Sequence, residues 1–350
     1  MKTRFLIIFL ILWSFTDACG LTIEECIDRA QENYPVIRKY GLLEATSEID
    51  LSEISKSWLP RIGLYGQGSA QNVVPSFPSA LSGFIQQMGQ HVRGIGKMQY
   101  KAGVDILQNI WDGGTSVERR SVVRSKEALK QASLDVDMYA VRERVENIYF
   151  AILQTEEQIA QIQNTQSVLE ANLEKLRSML RNGTAMQSDV DMVEAQFLTL
   201  NQSIRQAQAS VEGYRTVLGI FTASDVMTEK LEIPETKMPV MDNQLRPELR
   251  LFAEQMALNN AMRCLTDTSL RPKVGFFAQA YYGYPGFDYF KSMMNRDLSF
   301  NILAGVKVSW NIDSFYNRGN AARRAKVSNE EVEVERDLFL FNNRLQTVAQ

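Results

Sequence analysis

The sequence predicts an α+β fold in which long antiparallel coiled-coil helical hairpins are joined to two strand pairs, arranged as an internal duplication. Three observations predict it. Residues 115–182 contain neither glycine nor proline, while Gly113-Gly114 precede them and Gly183 follows; helix interiors exclude both residue types. Short stretches elsewhere alternate apolar and polar side chains with a period of two, the mark of a strand. The order of helices, strands and long helix then recurs later in the chain.

A helix over residues 115–182 would be roughly 100 Å long at about 1.5 Å per residue. After Gly183 the chain returns through Val190, Val193, Phe197, Leu200, Ile204, Ala207, Val211, Tyr214 and Leu218. That alternation of threes and fours is the seam of a left-handed coiled coil. The outgoing limb carries a looser seam of Val141, Val145, Ile148, Ile152, Ile159, Ile162, Leu169, Leu173 and Leu176.

Residues 1–20 read as an export signal. Lys2 and Arg4 precede an apolar run from Phe5 to Phe15, and Ala18-Cys19-Gly20 supplies small residues for cleavage. The rival reading is a lipoprotein signal with Cys19 acylated as the new N-terminus, but Thr16-Asp17-Ala18 lacks the leucine of the usual lipobox. Beyond the leader no apolar run reaches the roughly 18 to 20 residues of a membrane helix.

The first repeat spans residues 21–221. Thr22 with Glu25 forms a capping box that opens a helix toward Asn33; Pro35 interrupts it, and a second helical pattern runs from Val36 to Trp58. Arg61 to Ala70 alternates weakly, and residues 71–97 read as a loop. The next strand sets Tyr100, Ala102, Val104 and Ile106 against Gln99, Lys101, Gly103 and Asp105. Residues 222–245, with Pro234 and Pro239, read as a linker or irregular layer.

The second repeat, residues 246–350, begins with a helix from Arg246 to Thr266 and a strand pair at about 272–313. Leu270-Arg271-Pro272-Lys273-Val274-Gly275 parallels Trp58-Leu59-Pro60-Arg61-Ile62-Gly63. An aromatic loop near Tyr282 to Arg296 leads to the clearest alternation, with Phe300, Ile302, Ala304, Val306, Val308, Trp310 and Ile312 on one face and Leu303 intruding on the other. Gly319 and Arg324 match Gly114 and Arg119, and a second long helix starts. That offset of 205 would carry the helix to about residue 387, so the second repeat reads as incomplete and the chain as a C-terminally truncated form of a longer one.

The strands allow two readings. One is a small soluble sheet packed on one face. The other is a membrane barrel, whose strands of 9 to 11 residues alternate apolar-out and polar-in. Four strands cannot close a barrel and open edges are not tolerated in lipid, so several chains would have to share one; three would give twelve strands.

Composition excludes other classes. The 350 residues are 45% hydrophobic and 23% charged with a formal net charge of -3, and no basic patch suggests nucleic acid. Three cysteines support neither a disulfide framework nor a multi-cysteine zinc site, and the single His91 lies in a polar loop and takes no role. No hydrolase elbow, metalloprotease motif or phosphate loop occurs, and Gly94-Ile95-Gly96-Lys97 lacks phosphate-loop spacing. The chain reads as no enzyme, with no cofactor and no metal.

The turn reads Leu180-Arg181-Asn182-Gly183-Thr184-Ala185-Met186-Gln187-Ser188-Asp189-Val190, followed by Ala195-Gln196. This resembles the periplasmic turn of the TolC-like outer-membrane efflux proteins, in which a glycine precedes Asp-Val by six residues and Ala-Gln follows. Leu21 to Cys26 resembles the mature N-terminus of that family, Trp111-Asp112-Gly113-Gly114 its strand-to-helix junction, and Arg246-Pro247-Glu248-Leu249 the opening of its second repeat. The resemblance implies an α+β membrane protein: a homotrimer whose strands form one transmembrane β-barrel in outer-membrane lipid, with a helical tunnel in the periplasm. It implies a passive conduit in a tripartite efflux or type I secretion system, fed by an inner-membrane transporter. A periplasmic adaptor would dock at the tip carrying Gly183, Thr184, Ser188 and Asp189, and the second tip would lie beyond Gln350. The reading from another class is a structural periplasmic coiled-coil protein without transport activity.

Overall fold

The computed structural model describes residues 20–89, 94–235 and 246–349. Residues 1–19 of the export signal, Cys19 among them, His91 and residues 236–245 of the linker lie outside them. The elements run α1 (Ile23–Asn33), α2 (Arg38–Lys56), β1 (Arg61–Ala70), α3 (Ser79–Gln87), β2 (Met98–Trp111), α4 (Thr115–Arg181), α5 (Gln187–Thr222), α6 (Pro247–Asp267), β3 (Lys273–Tyr284), α7 (Tyr289–Met294), β4 (Ser299–Ser309) and α8 (Ser314–Ala349). The chain divides into two compact units, residues 1–42 with 131–248 and residues 43–130 with 249–350.

The first unit contains the helical hairpin. All nine outgoing seam positions on α4 are buried or half-buried, as are those on α5 apart from Tyr214. Three side-chain pairs tie the limbs in antiparallel register: Arg177 to Glu194 at 3.3 Å, Gln166 Nε2 to Asn201 Oδ1 at 2.8 Å, and Arg215 to Glu156 at 2.8 Å. Gln166 fills the seam position between Ile162 and Leu169, so a polar pair replaces an apolar one there. A polar pair inside a coiled coil costs stability but fixes register.

Away from the turn, α1 packs on the hairpin. Thr22 caps it, with the Glu25 amide donating to Thr22 Oγ1 at 3.3 Å, and Ile23, Cys26, Ile27 and Ala30 are buried with Val141, Val145, Tyr149, Ile152 and Leu218. Burial pushes the Cys26 thiol up to about 11. Residues 223–235 are an irregular layer: Val226 and Leu231 enter the same core, and Leu21 pairs with Leu231 in a parallel bridge. Tyr149 Oη lies 2.8 Å from Leu21 O and 2.6 Å from Glu232 O, so its one proton is shared between two carbonyls. Burial raises its phenol to about 12, keeping it a donor. Asn33 Nδ2 donates to Ile220 O and Phe221 O, both at 3.2 Å, and so satisfies carbonyls left free at the end of α5.

The second unit contains the sheet. The two strand pairs join through β2 and β3 into one antiparallel sheet of order β1-β2-β3-β4. Three sequence expectations shift here. The loop at 71–97 contains α3, a nine-residue helix. The aromatic segment from Tyr282 is still strand until Tyr284, because Tyr281 and Tyr282 pair with Gly103 and Ala102 of β2. Trp310 to Asp313 lie beyond the end of β4, and Gly319 is interior to α8 whereas Gly114 precedes α4.

That last difference has a local cause. Gly113 and Gly114 hold φ of +71° and +86°, and the turn they make lets Asp112 accept from Gly114 N at 3.0 Å and Ser116 N at 2.7 Å. Asp313 runs directly into α8, with Tyr316 N donating to Asp313 O at 3.0 Å, so no glycine turn is needed. Partial burial pushes the Asp112 carboxyl up, but the bonds from Ser116 and Gly114 outweigh it and leave it below its ordinary value. Its contribution to stability is therefore present above the unfolded carboxylate value of ~3.9 and is lost as pH falls through the lower folded value. Asp112→Asn should remove that share of the acid-side loss, at about 1 kcal/mol of stability near neutrality. Urea midpoints measured at pH 7 and at successively lower pH check it: the two proteins should differ at pH 7, and the gap should narrow as pH falls below ~3.9.

Candidate functional site

Two regions carry surface chemistry. The first is the hairpin turn. Gly183, with φ +75°, follows the last turn of α4; its amide donates to Leu180 O at 3.0 Å and that of Thr184 to Met179 O at 2.9 Å. These two bonds make a Schellman motif, which requires the left-handed residue that glycine supplies. Thr184 Oγ1 adds a second donor to Met179 O at 3.1 Å. At the return, Asp189 Oδ2 accepts from Met186 N at 3.0 Å, so Asp189 caps α5 from its first turn. Gly183, Thr184, Ser188 and Asp189 thus share one exposed turn. Of the two polar residues in this first turn, Ser188 and Asp189, it is Asp189 that makes the cap, with Met186, 72% exposed, at the N-cap.

The second region is the sheet, whose two faces differ completely. Register places even-numbered strand residues on one face and odd-numbered ones on the other, except beyond the bulge between Asn109 and Trp111, where Trp111 pairs with Val274 and joins the even face. The even face has rows Ile62–Ile106–Ala278–Ala304, Leu64–Val104–Ala280–Ile302 and Gly66–Ala102–Tyr282–Phe300, and no strand residue on it is charged. Ile62, Leu64, Phe300, Ile302, Val306 and Val308 are among its most exposed side chains. An uncharged apolar surface of this breadth marks an interaction with lipid or another protein. Aromatic residues stand at both of its ends: Tyr100, Tyr282 and Phe300 at one, Trp111 and Trp310 at the other. Ten steps from Phe300 to Trp310 cover ~34 Å along a strand, or ~25 Å along the membrane normal at a tilt of ~40°, which matches the apolar band of membrane barrels.

The odd face carries every charged strand residue. Gln279 Nε2 donates to Tyr65 Oη at 2.8 Å and Asp105 Oδ1 at 2.9 Å. The Lys101 ammonium stands 5.9 Å from the Tyr65 ring centre and 5.5 Å from that of Tyr281. Sequence reading found Lys101 and Asp105 but missed Tyr65, Gln279 and Tyr281. Their parity, odd like that of Lys101, was the available signal. Leu107 and Phe277 join Leu303 as apolar residues on this face.

No group of three His, Cys, Asp or Glu suited to a metal occurs among the described residues, and no described helix is long and apolar enough to cross a membrane.

No protein-family model matches the sequence, and no curated protein matches it. Solved structures do. The chain is similar to the CmeC outer membrane channel of Campylobacter jejuni, with 15% identity, a TM-score of 0.62, and coverage of 94% of this chain and 69% of that one. Against the outer membrane protein VceC of Vibrio cholerae the identity is 12%, the TM-score 0.62, and the coverage 91% and 75%. Against the open state of the MtrE outer membrane channel of Neisseria gonorrhoeae the values are 16%, 0.58, and 89% and 68%. At these identities the likeness is one of fold: the chain has the α+β fold of these outer-membrane channels.

Proposed function

We propose that the chain is a protomer of an outer-membrane channel-tunnel, a passive conduit for efflux or secretion across the periplasm and outer membrane. The observation that carries this reading is the sheet. One face is uncharged, apolar and exposed between aromatic ends, the other holds all the charge, and β1 and β4 leave two open edges. Open edges are excluded from lipid, so copies must join edge to edge. Three copies give a twelve-stranded barrel, the homotrimer that the sequence resemblance implies. The long hairpin then supplies the periplasmic tunnel, and the channel needs an inner-membrane transporter to drive transport. Native mass of protein extracted from the outer membrane in detergent tests the assembly. A species of three times the chain's mass is expected. Extraction without detergent as a monomer would sink the reading in favour of a periplasmic coiled-coil protein.

The exposed turn with Gly183, Thr184, Ser188 and Asp189 is the docking point for a periplasmic adaptor. A Cβ at Gly183 meets nothing within 4 Å, so a substitution there acts through the backbone alone. Gly183→Val should cost roughly 1–3 kcal/mol of local strain, reshaping the turn without touching the sheet. Adaptor cross-linking at the tip is expected to fall several-fold while the amount of membrane-inserted trimer stays unchanged. Undiminished cross-linking together with normal export would remove the tip from the docking surface.

A further inference from the structure

We infer that the lumen of this channel favours anions, through a cationic wall at the end of the barrel nearest the long helices. The inference rests on the channel reading above, which makes the odd-numbered face of the sheet the lumen. On that face the strands carry Arg61, Lys101, Lys273 and Lys307 against Asp105, the one carboxylate there. Their placement is uneven. Arg61 opens β1, Lys273 opens β3 and pairs with Ser309, and Lys307 pairs with Gly275, so all three gather at the end where the strands meet α2, α6 and α8.

These three cations line one open cavity of about 250 Å³, and no carboxylate lines it. None of the three forms an ion pair among the described residues. Asp105 offers them little, because it lies further along the strand and already accepts from Gln279. Leu59, Leu107 and Phe277 are among the apolar residues of the cavity wall. Like-signed charge in a cleft with low-dielectric walls focuses its field and concentrates counter-ions. Three copies would close this into a ring of nine cations facing the conduit. A solute leaving the helical tunnel has to pass that ring, which enriches anions and repels cations before the barrel is entered. The class of solute that fits is an organic or inorganic anion, with apolar groups accommodated on Leu107 and Phe277.

The test compares the detergent-purified trimer with the triple variant Arg61→Gln/Lys273→Gln/Lys307→Gln. In planar bilayers under a potassium chloride gradient, the parent should give a reversal potential of the sign set by chloride. The variant should move toward zero or past it, and the difference should shrink at high salt as the charges are screened. Where the channel is closed in the bilayer, calorimetric titration of the same trimers with tripolyphosphate decides: saturable binding by the parent that the variant loses is expected. A trimer that is cation-selective with no shift in the variant overturns the inference and leaves the channel reading intact. So does a trimer that binds no tripolyphosphate in the closed state. Failure to form any trimer or pore overturns the channel reading itself.

Discussion

Replacing Ile302 by arginine is expected to deplete membrane-inserted trimer steeply, whereas replacing its neighbour Leu303 should leave it largely in place. Ile302 stands mid-strand on the even face of β4, in the row with Ala280, Val104 and Leu64, and is 63% exposed. Leu303 points to the other face and is 46% exposed. An arginine on the lipid face near the bilayer midplane costs about 2–4 kcal/mol per chain, and a trimer takes that cost three times. Per chain that is a large share of a typical stability of about 5–15 kcal/mol, so the inserted trimer should fall steeply. On the channel reading, an arginine at Leu303 would meet water in the lumen. Were the sheet soluble, both substitutions would fall on solvent-exposed side chains and each would change stability by about 0.5 kcal/mol or less. The amount of detergent-extracted trimer for the two variants separates these cases, and equal amounts would remove the lipid assignment.

The contrast between these neighbours also shows what the sequence carries and what it does not. The helical limbs were legible because exclusion of glycine and proline over residues 115–182 and a seam of threes and fours are properties of contiguous residues. Alternation in β2 and β4 was legible for the same reason, and it sorted Lys101 and Asp105 onto one side and Val104 and Ile106 onto the other. What periodicity does not carry is partnership across long sequence separations. Tyr149 sits among aliphatic seam residues and reads as one more of them, yet its hydroxyl joins Leu21 to Glu232, residues over eighty positions away in either direction. Gln166 reads as a break in the outgoing seam until Asn201 is found opposite. At the turn, Gly183 was legible from its chemistry, while the choice of Asp189 over Ser188 as the cap depended on how the backbone enters α5. The equivalence of Gly319 with Gly114 failed because α8 starts directly at Ser314, where the glycine turn of the first repeat has no counterpart.

Arg215 is the residue whose importance sequence reading had least means of seeing, and its loss should cost the hairpin unit several times what loss of an exposed charge such as Arg177 costs. It lies on α5 beside the seam and would pass for a solvated coiled-coil charge. Its side chain is only 12% exposed. Nη2 donates to Glu156 Oε1 at 2.8 Å on α4, while Nη1 donates to Val226 O at 2.6 Å and Glu229 O at 2.8 Å. One guanidinium thus clamps both limbs to the irregular layer that seals the core with Val226 and Leu231. Arg215→Ala would leave two carbonyls and a carboxylate without their donor. Breaking a buried pair costs about 3–5 kcal/mol; because Glu156 is 39% exposed and regains water, roughly 2–3 kcal/mol is the fair expectation here. Arg177→Ala supplies the comparison, since Arg177 and Glu194 are 51% and 48% exposed and their pair is worth about 0.5 kcal/mol or less. Arg215→Lys keeps the charge but not the planar fork, and so should recover only part of the loss. Limited proteolysis within residues 223–235 reads the effect directly, because release of that layer exposes its backbone. Cleavage there should be fast in Arg215→Ala, intermediate in Arg215→Lys and slow in Arg177→Ala; equal rates for the two alanine variants would mean that packing of Val226 and Leu231, not the guanidinium, holds the layer down.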